Sequence, residues 1–260
     1  MSTLKILHNA GFFSCATVRL IEIIKFFNIN KALPDVVDSS EQFAFYKKDE
    51  KENIVPAFYE DSNQTIEHTK EIVVTQEPGE ISFGDYSKIH FSEVSQFVNK
   101  YFHPSIEVQK MINDYWVKYA IDPENTCAVF YRGNDKQREC EVTPYGHFID
   151  RAHEVLAGNP NIRFLVQPDE TEFLEAFKAA FPDRCFYFKE TPHMRKKNSA
   201  IFYELPPEKK TQHGQLFLAS VIVMSMCKHV INHSGNGGMW LCLYRGNTDN
   251  VHQFMNKHIY

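Results

Sequence analysis

Apolar residues follow two periods along this chain, and the two alternate. Near the start, Leu4, Ile6 and Leu7 read as a strand, and Asn9, Ala10 and Gly11 as a turn. Val18, Ile21, Ile24 and Phe27 then recur at helical spacing behind Ser14, a residue that can cap a helix. The segment LPDVVDSS predicts a second short strand with Asp38 at its end. Residues 47–90 are polar and irregular, with scattered Pro and Gly and no repeat or low-complexity block. Helices are expected over 92–102 and, after Pro104, over 105–120.

The second half is more regular. Residues 127–131 form an apolar strand, and TPYGHFIDRAHEVLAG a helix with Thr143 as cap, Pro144 in its first turn and Gly158 closing it. IRFLV is the next strand. DETEFLEAFKAAFP is a helix with Asp169 and Glu172 spaced as a capping box and Phe173, Leu174, Phe177 and Phe181 on one face. CFYF, a buried helix in QLFLASVIVMSMC, a strand in KHVIN and a helix in GMWLCLYRG complete the series. Strands alternating with helices predict a parallel sheet covered on both faces. The expected class is α/β: two Rossmann-like units, residues 1–105 and 106–260, whose parallel sheets face a cleft.

Composition narrows the class of partner. The 260 residues carry a net charge of -5, with 43% hydrophobic and 23% charged residues, as in a folded domain. A mildly acidic chain is a poor binder of duplex nucleic acid, although a local basic pocket for a small anion is compatible with it. Six cysteines without a C-x-x-C pair predict free thiols in a reducing compartment. The start has no signal-peptide pattern, and the longest apolar run is about half the ~20 residues that span a bilayer. A cytoplasmic protein without an integral membrane segment is expected; oligomeric state is left open.

Ligands of open parallel sheets bind at the carboxyl ends of the strands. Three polar sets fall there: Arg132, Gly133, Asn134, Asp135 and Lys136; Gln167, Pro168, Asp169 and Glu170; and His233, Ser234, Gly235, Asn236, Gly237 and Gly238. Three of the 11 glycines lie within four residues at a helix start, where free N–H groups attract anions and glycine lets backbone approach a ligand. Arg132 and Lys136 add positive charge, and arginine can grip a phosphate with two parallel bonds. Together these groups suit a diphosphate. The glycine pattern is neither G-x-G-x-x-G nor G-x-x-x-x-G-K-[ST], so dinucleotide and P-loop readings fail. His229 and His233 straddle a strand, and no metal site is expected. Cys15 and Arg19 are spaced too closely for a phosphatase loop.

FYRGNDK resembles the HxRRTDK motif of the fucosyltransferase superfamily, which includes the α1,2-, α1,6- and protein O-fucosyltransferases. LVQPDETEFLEAF and ASVIVMSMCKHVINHSGNGGMWL resemble that family's second and third segments, in the same order. The match covers residues 127 to about 245, and the overall style is also similar to glycosyltransferases of large algal viruses, which would place the protein in a host cytosol. The resemblance implies a GT-B fold, a nucleoside-diphosphate sugar bound mainly by residues 106–260, an acceptor glycan entering from residues 1–105, inversion at the anomeric carbon, and no metal or other cofactor. Arg132 then matches the diphosphate-binding arginine, Asp169 lies in the nucleoside-recognising segment, and Ser234 and Asn236 lie in the loop over the phosphates. Two positions depart from the pattern. Phe130 stands where the family has a histidine that helps recognise guanine, and Gly133 replaces the second arginine. GDP-fucose and a UDP-sugar such as UDP-xylose both remain open as donors.

The resemblance and the residues agree on the chemistry. Charge growing on a leaving nucleoside diphosphate needs a positive site, and no D-x-D metal motif occurs in the chain. Arg132, Lys136 and a helix start supply the alternative. The acceptor hydroxyl needs a general base, for which Asp38, His8 and Asp135 are candidates. The donor set is Arg132, Gly133, Asn134, Lys136, Gln167, Asp169, His233, Ser234, Gly235, Asn236 and Gly237. Two competitors come from other classes: a non-catalytic nucleotide- or glycan-binding module of like fold, and an epimerase, which would need the missing dinucleotide fingerprint.

Overall fold

The computed structural model describes residues 1–50, 52–66 and 78–259. The chain opens with β1 (Thr3–Lys5), α1 (Phe12–Asn30) and β2 (Val36–Asp38), and β1 and β2 pair in parallel. α2 (Val55–Phe58) and β3 (Tyr59–Glu60) follow, then α3 (Pro78–Phe83), α4 (Phe91–Tyr101), β4 (His103–Pro104) and α5 (Ile106–Lys118). β3 and β4 pair antiparallel. Of the irregular region read over 47–90, residues 67–77 lie outside the described residues. Ser105 caps α5, its hydroxyl accepting from the Val108 N–H at 3.4 Å.

The remainder contains β5 (Thr126–Tyr131), β6 (Cys140–Glu141), α6 (Tyr145–Gly158), β7 (Arg163–Pro168), α7 (Thr171–Ala180) and β8 (Cys185–Phe186). It continues through α8 (Ile201–Glu204), α9 (Pro207–Ser225), β9 (His229–His233), α10 (Asn236–Arg245), β10 (Val251–Phe254) and β11 (Lys257–His258). Five strands make one parallel sheet in the order β10-β9-β5-β7-β8. The α/β class and its parallel sheet are as the periodicity predicts.

β5 sits in the middle of that sheet, and all six of its residues are buried. Side chains alternate between faces along a strand. Ala128 and Phe130 accordingly join Leu165 and Val230 in a core built with α1, α4, α5, α9 and α10. Cys127, Val129 and Tyr131 join Phe164, Val166 and Ile231 in a second core under α6 and α7. A strand covered on both faces has no polar side, which is why CAVFY is an unbroken apolar run.

Helix starts depart from the sequence reading in three places. α1 begins at Phe12 behind Gly11, so Ser14 lies inside the helix, 3.0 Å from His8 Nε2. Thr143 does not cap α6; its hydroxyl donates to Asn256 Oδ1 at 2.7 Å and Pro144 takes the cap position. The Asp169–Glu172 capping box does not form either. Glu170 is the cap residue of α7, and the Asp169 carboxylate turns to Arg132 instead. A charge-assisted bond to a guanidinium is the stronger alternative for a carboxylate than a neutral backbone N–H.

Glycine at the start of α10 is required by packing. A Cβ on Gly237 would lie 2.8 Å from Phe130 Cζ, and one on Gly238 only 2.5 Å from the His233 carbonyl oxygen. Gly235 is different: its φ of 140° is a conformation that favours glycine. Gly238→Ala is therefore expected to destabilise the fold by about 1–3 kcal/mol, because backbone cannot yield as a side chain can. Gly146→Ala, which meets nothing within 4 Å, should instead be neutral or stabilising by up to about 1 kcal/mol. Urea midpoints of the two variants in the opposite order would contradict this account.

Candidate functional site

β5, β7 and β9 are parallel and adjacent, so their carboxyl ends emerge on one edge. Asp169, just past β7, ties two of these ends together. Its Oδ1 accepts the Gly133 N–H at 2.8 Å, and its Oδ2 accepts Arg132 Nε at 2.9 Å. The third end joins through His233, whose Nε2 accepts the Arg132 backbone N–H at 2.9 Å. The sequence reading of one polar rim is thus matched by direct contacts among Arg132, Asp169 and His233.

A cavity of about 410 Å³ opens at this rim. Arg132, Asp135, Lys136, Gln167, Asp169, His233 and the turn from Ser234 to Gly238 all line it. Arg132 is braced there and is not a free cation. Besides Asp169, its Nη2 donates to Asp135 at 2.9 Å, and its guanidinium lies 5.5 Å from the centroid of the Phe217 ring. Nη1 has no hydrogen-bond partner among the described residues, so one edge of the fork remains for a ligand. Lys136 pairs with Glu139 and lies over the Phe83 ring.

The charges of this cluster follow from its burial. At Asp135, burial works upward, but Arg132 and Lys136 together outweigh it and hold the carboxyl below its ordinary value. At Asp169, burial prevails over the pull of Arg132 and pushes the carboxyl up. Arg132 is shifted up as well, since Asp135 and Asp169 outweigh its own burial; for the guanidinium an upward shift favours the charged form, whereas for the Asp169 carboxyl it opposes it. A guanidinium this well paired stays charged, and it favours the ionised form of Asp169 against the effect of burial. Burial lowers His233 to about 4, with Lys136 and Arg132 acting the same way and the Ser234 carbonyl acting against them. Both ring nitrogens are engaged: Nε2 accepts from the Arg132 N–H, and Nδ1 lies 3.0 Å from the Ser234 carbonyl and 2.8 Å from Asn256 Nδ2.

Several named residues serve the frame of the site. Asn134 is buried away from the cavity; its Nδ2 donates to the Asp169 carbonyl at 3.0 Å, and its Oδ1 accepts the Lys197 N–H at 2.8 Å. The Ser234 hydroxyl accepts from Gln253 Nε2 at 3.2 Å, beside the end of β10. Asn236 Oδ1 accepts from the Thr17 hydroxyl at 2.7 Å, joining α10 to α1. Gly133 is required because a Cβ there would run into the Glu170 carboxylate. Gln167 Oε1 accepts the Phe188 N–H at 3.3 Å, and its buried Nε2 has no partner among the described residues.

Of the three candidate bases, only Asp135 lines the cavity. Asp38 bonds the Ser40 N–H at 2.9 Å, and the Ser40 side chain and N–H hold its carboxyl low. His8 is one residue removed, contacting Ser14, which does line the cavity. Cys15 and Arg19 are both buried in α1. Sequence reasoning missed the opposite wall: Phe45, Tyr46, Phe202, His213 and Phe217. The one available signal is HGQLF, where His213 and Phe217 are four apart at the point where α9 turns from polar to apolar.

Two predictions follow from this electrostatic arrangement. Asp169→Ala leaves Arg132 and the Gly133 N–H without their buried acceptor and should cost roughly 3–5 kcal/mol in chemical denaturation; a loss under 1 kcal/mol would contradict the tie. The second concerns pH. His233 and His213 are both lowered to about 4 by burial first, so between pH 4 and 6.5 the unfolded chain binds more protons than the folded one. Their contribution is complete above about pH 6.5 and is lost on acidification through that window, by roughly 3 kcal/mol at most per ring. His213→Phe should lose stability less steeply than wild type between pH 7 and pH 4.5. Equal slopes would show an ordinary titration at that ring.

No protein-family model matches the chain, and no curated protein matches it in sequence. Solved structures do match in three dimensions. A NodZ α-1,6-fucosyltransferase soaked with GDP-fucose aligns with a TM-score of 0.59 at 11% identity, over 94% of this chain and 92% of that one. The fucosyltransferase NodZ from Bradyrhizobium gives 0.56 at 11% identity over 88% of each chain. NodZ α-1,6-fucosyltransferase co-crystallised with GDP gives 0.55 at 11% identity, over 88% and 87%. Identity this low speaks for architecture alone: the chain has the GT-B-like α/β fold of these fucosyltransferases.

Proposed function

We propose that this chain is a metal-independent, inverting glycosyltransferase that moves a hexosyl or pentosyl group from a nucleoside-diphosphate sugar to a glycan hydroxyl. One observation carries the reading: a braced arginine with an unpaired edge, set in a cavity at the carboxyl rim of a parallel sheet. The acceptor oxygen bonds to the anomeric carbon as the bond from that carbon to the distal phosphate oxygen breaks. The electron pair leaves on the nucleoside diphosphate, facing Arg132, Lys136 and the start of α10. Asp135 is the candidate that lines the cavity and can take the hydroxyl proton, although its pairing with Arg132 makes it a weak base. The related folds were solved with GDP and GDP-fucose, which supports a nucleotide-sugar donor. Phe130, at the position where the resembling family has histidine, keeps UDP-sugars such as UDP-xylose as competitors.

The test is a thermal-shift panel of GDP, GDP-fucose, UDP and UDP-xylose, with and without EDTA. A ligand at about 100 times its dissociation constant should stabilise the fold by roughly 2.7 kcal/mol. No response to any nucleotide would overturn the reading. Stabilisation without transfer or donor hydrolysis would favour a binding module instead, a reading that the two carboxylates offsetting Arg132 make worth separating. Arg132→Ala is a poor probe, because it strands Asp169 and Asp135 without their cation. Arg132→Lys keeps the charge and removes the fork; transfer should fall roughly tenfold to a hundredfold. Wild-type turnover in that variant would contradict the role of Arg132.

A further inference from the structure

The far wall of the cavity is a run of aromatic rings. Phe217 lies under Arg132, and His213 is parallel to Phe217, with centroids 6.2 Å apart and planes 3° apart. Tyr46 also stacks with His213, at 6.2 Å and 18°. The stack needs only a flat ring at this position, and phenylalanine would fill it without polar atoms. The two nitrogens of His213 are therefore unexplained by the fold. Neither makes a hydrogen bond among the described residues, and Nδ1 is wholly shielded from solvent without a partner. The residue is 8% exposed, and it lines the cavity. Tyr46 stacks near the ring without hydrogen-bonding Nδ1; its hydroxyl oxygen accepts the Phe12 N–H at 3.1 Å. Nε2 is the nitrogen that is not sealed, and it has no protein partner among the described residues, so it is where a ligand in the cavity can supply what the protein does not.

We propose that His213 reads the transferred sugar, hydrogen-bonding one of its hydroxyls where it lines the cavity beside Phe217. The inference rests on the nucleotide-sugar reading of the same cavity. Its geometric basis is adjacency. Arg132, the candidate for the diphosphate, and His213 both lie against Phe217, and a sugar on the distal phosphate is what a group one ring further along would meet. The chemistry agrees. Burial, and then the charge of Arg132, hold the ring at about 4, so it is neutral at physiological pH. A neutral imidazole has one donor and one acceptor, the complement of a hydroxyl, which is also both. With Nδ1 sealed, contact would be through Nε2. His213 is assigned here to specificity and not to proton abstraction: no third group orients its ring, as a general base requires.

Isothermal titration of wild type, His213→Phe and His213→Gln with GDP, GDP-fucose, UDP and UDP-xylose tests the assignment. Wild type should bind one sugar nucleotide roughly fivefold to tenfold tighter than its parent diphosphate. His213→Phe should abolish that difference while leaving the diphosphate affinity unchanged, and His213→Gln should recover part of it. If the phenylalanine variant does not fold, reduced discrimination in the glutamine variant carries the same decision. Retention of full discrimination in both variants overturns the inference, as does an equal loss of diphosphate and sugar-nucleotide affinity. A wild type that binds the diphosphate but does not prefer its sugar form overturns this inference alone. A wild type that binds none of the four overturns the nucleotide-sugar reading with it.

Discussion

The arrangement of this site depends on one buried carboxylate. Asp169 has 4% exposure and accepts from both the backbone of Gly133 and the side chain of Arg132, so it fixes where the chain goes after β5 and where the guanidinium points. A buried ion pair contributes little net stability, because desolvation of the two charges offsets most of their attraction. Its value here is geometric. Arginine has many rotamers, and a cation that must meet a diphosphate is useful only if it is held before the ligand arrives. Asp169 holds Nε, Asp135 holds Nη2, and Phe217 supports the face, so the remaining edge has one direction. This arrangement also resolves the apparent conflict between a chain of net charge -5 and an anion site. The positive charge is local and oriented.

Bracing has a cost in charge. Asp135 and Asp169 between them offset Arg132, and Glu139 offsets Lys136. In the proposed reading, a ligand phosphate would be drawn by hydrogen bonds of defined direction more than by net field. The backbone at the start of α10 adds to these, since the first N–H groups of a helix have no partner within it. Gly235 cannot share in this, as its N–H donates to the Ser82 carbonyl at 2.7 Å. The turn is anchored by that bond and by the hydroxyl of Tyr86, so the helix start is held as firmly as the arginine opposite it.

How much of this was legible in the sequence follows from which interactions are local. The strands and most helices were, because burial on two faces or one imposes a period that a linear string displays. That the three polar sets share one edge was also legible, since parallel strands point the same way. Helix caps were not. Ser14, Thr143 and Asp169 each have the residue type and the spacing of a cap, and each bonds elsewhere: to His8, to Asn256 and to Arg132. Cap chemistry is decided by competition with partners distant in sequence. The glycines were misjudged for a similar reason. GNGG suggests room for a phosphate, yet Gly237 and Gly238 make room for Phe130 and for a carbonyl of their own chain. The aromatic wall escaped notice because Tyr46, Phe202 and His213 come from three separate segments.

The two departures from the resembling motif look different once their neighbours are known. Phe130 replaces a polar residue, and Gly237 leaves out the Cβ that its ring would strike. Gly133 replaces an arginine, and the buried Glu170 carboxylate, held by the Tyr145 hydroxyl, occupies the space that any side chain there would need. Restoring either motif residue alone would therefore fail: arginine at 133 would collide with Glu170, and histidine at 130 would set a polar ring against the apolar packing around Phe217. Each substitution is matched by a second residue that makes it fit. The space around both positions is filled by specific groups, Glu170 and Phe130, while Arg132 and His213 both line the cavity. If His213 reads the sugar as proposed, selectivity rests on the aromatic wall and not on the motif itself.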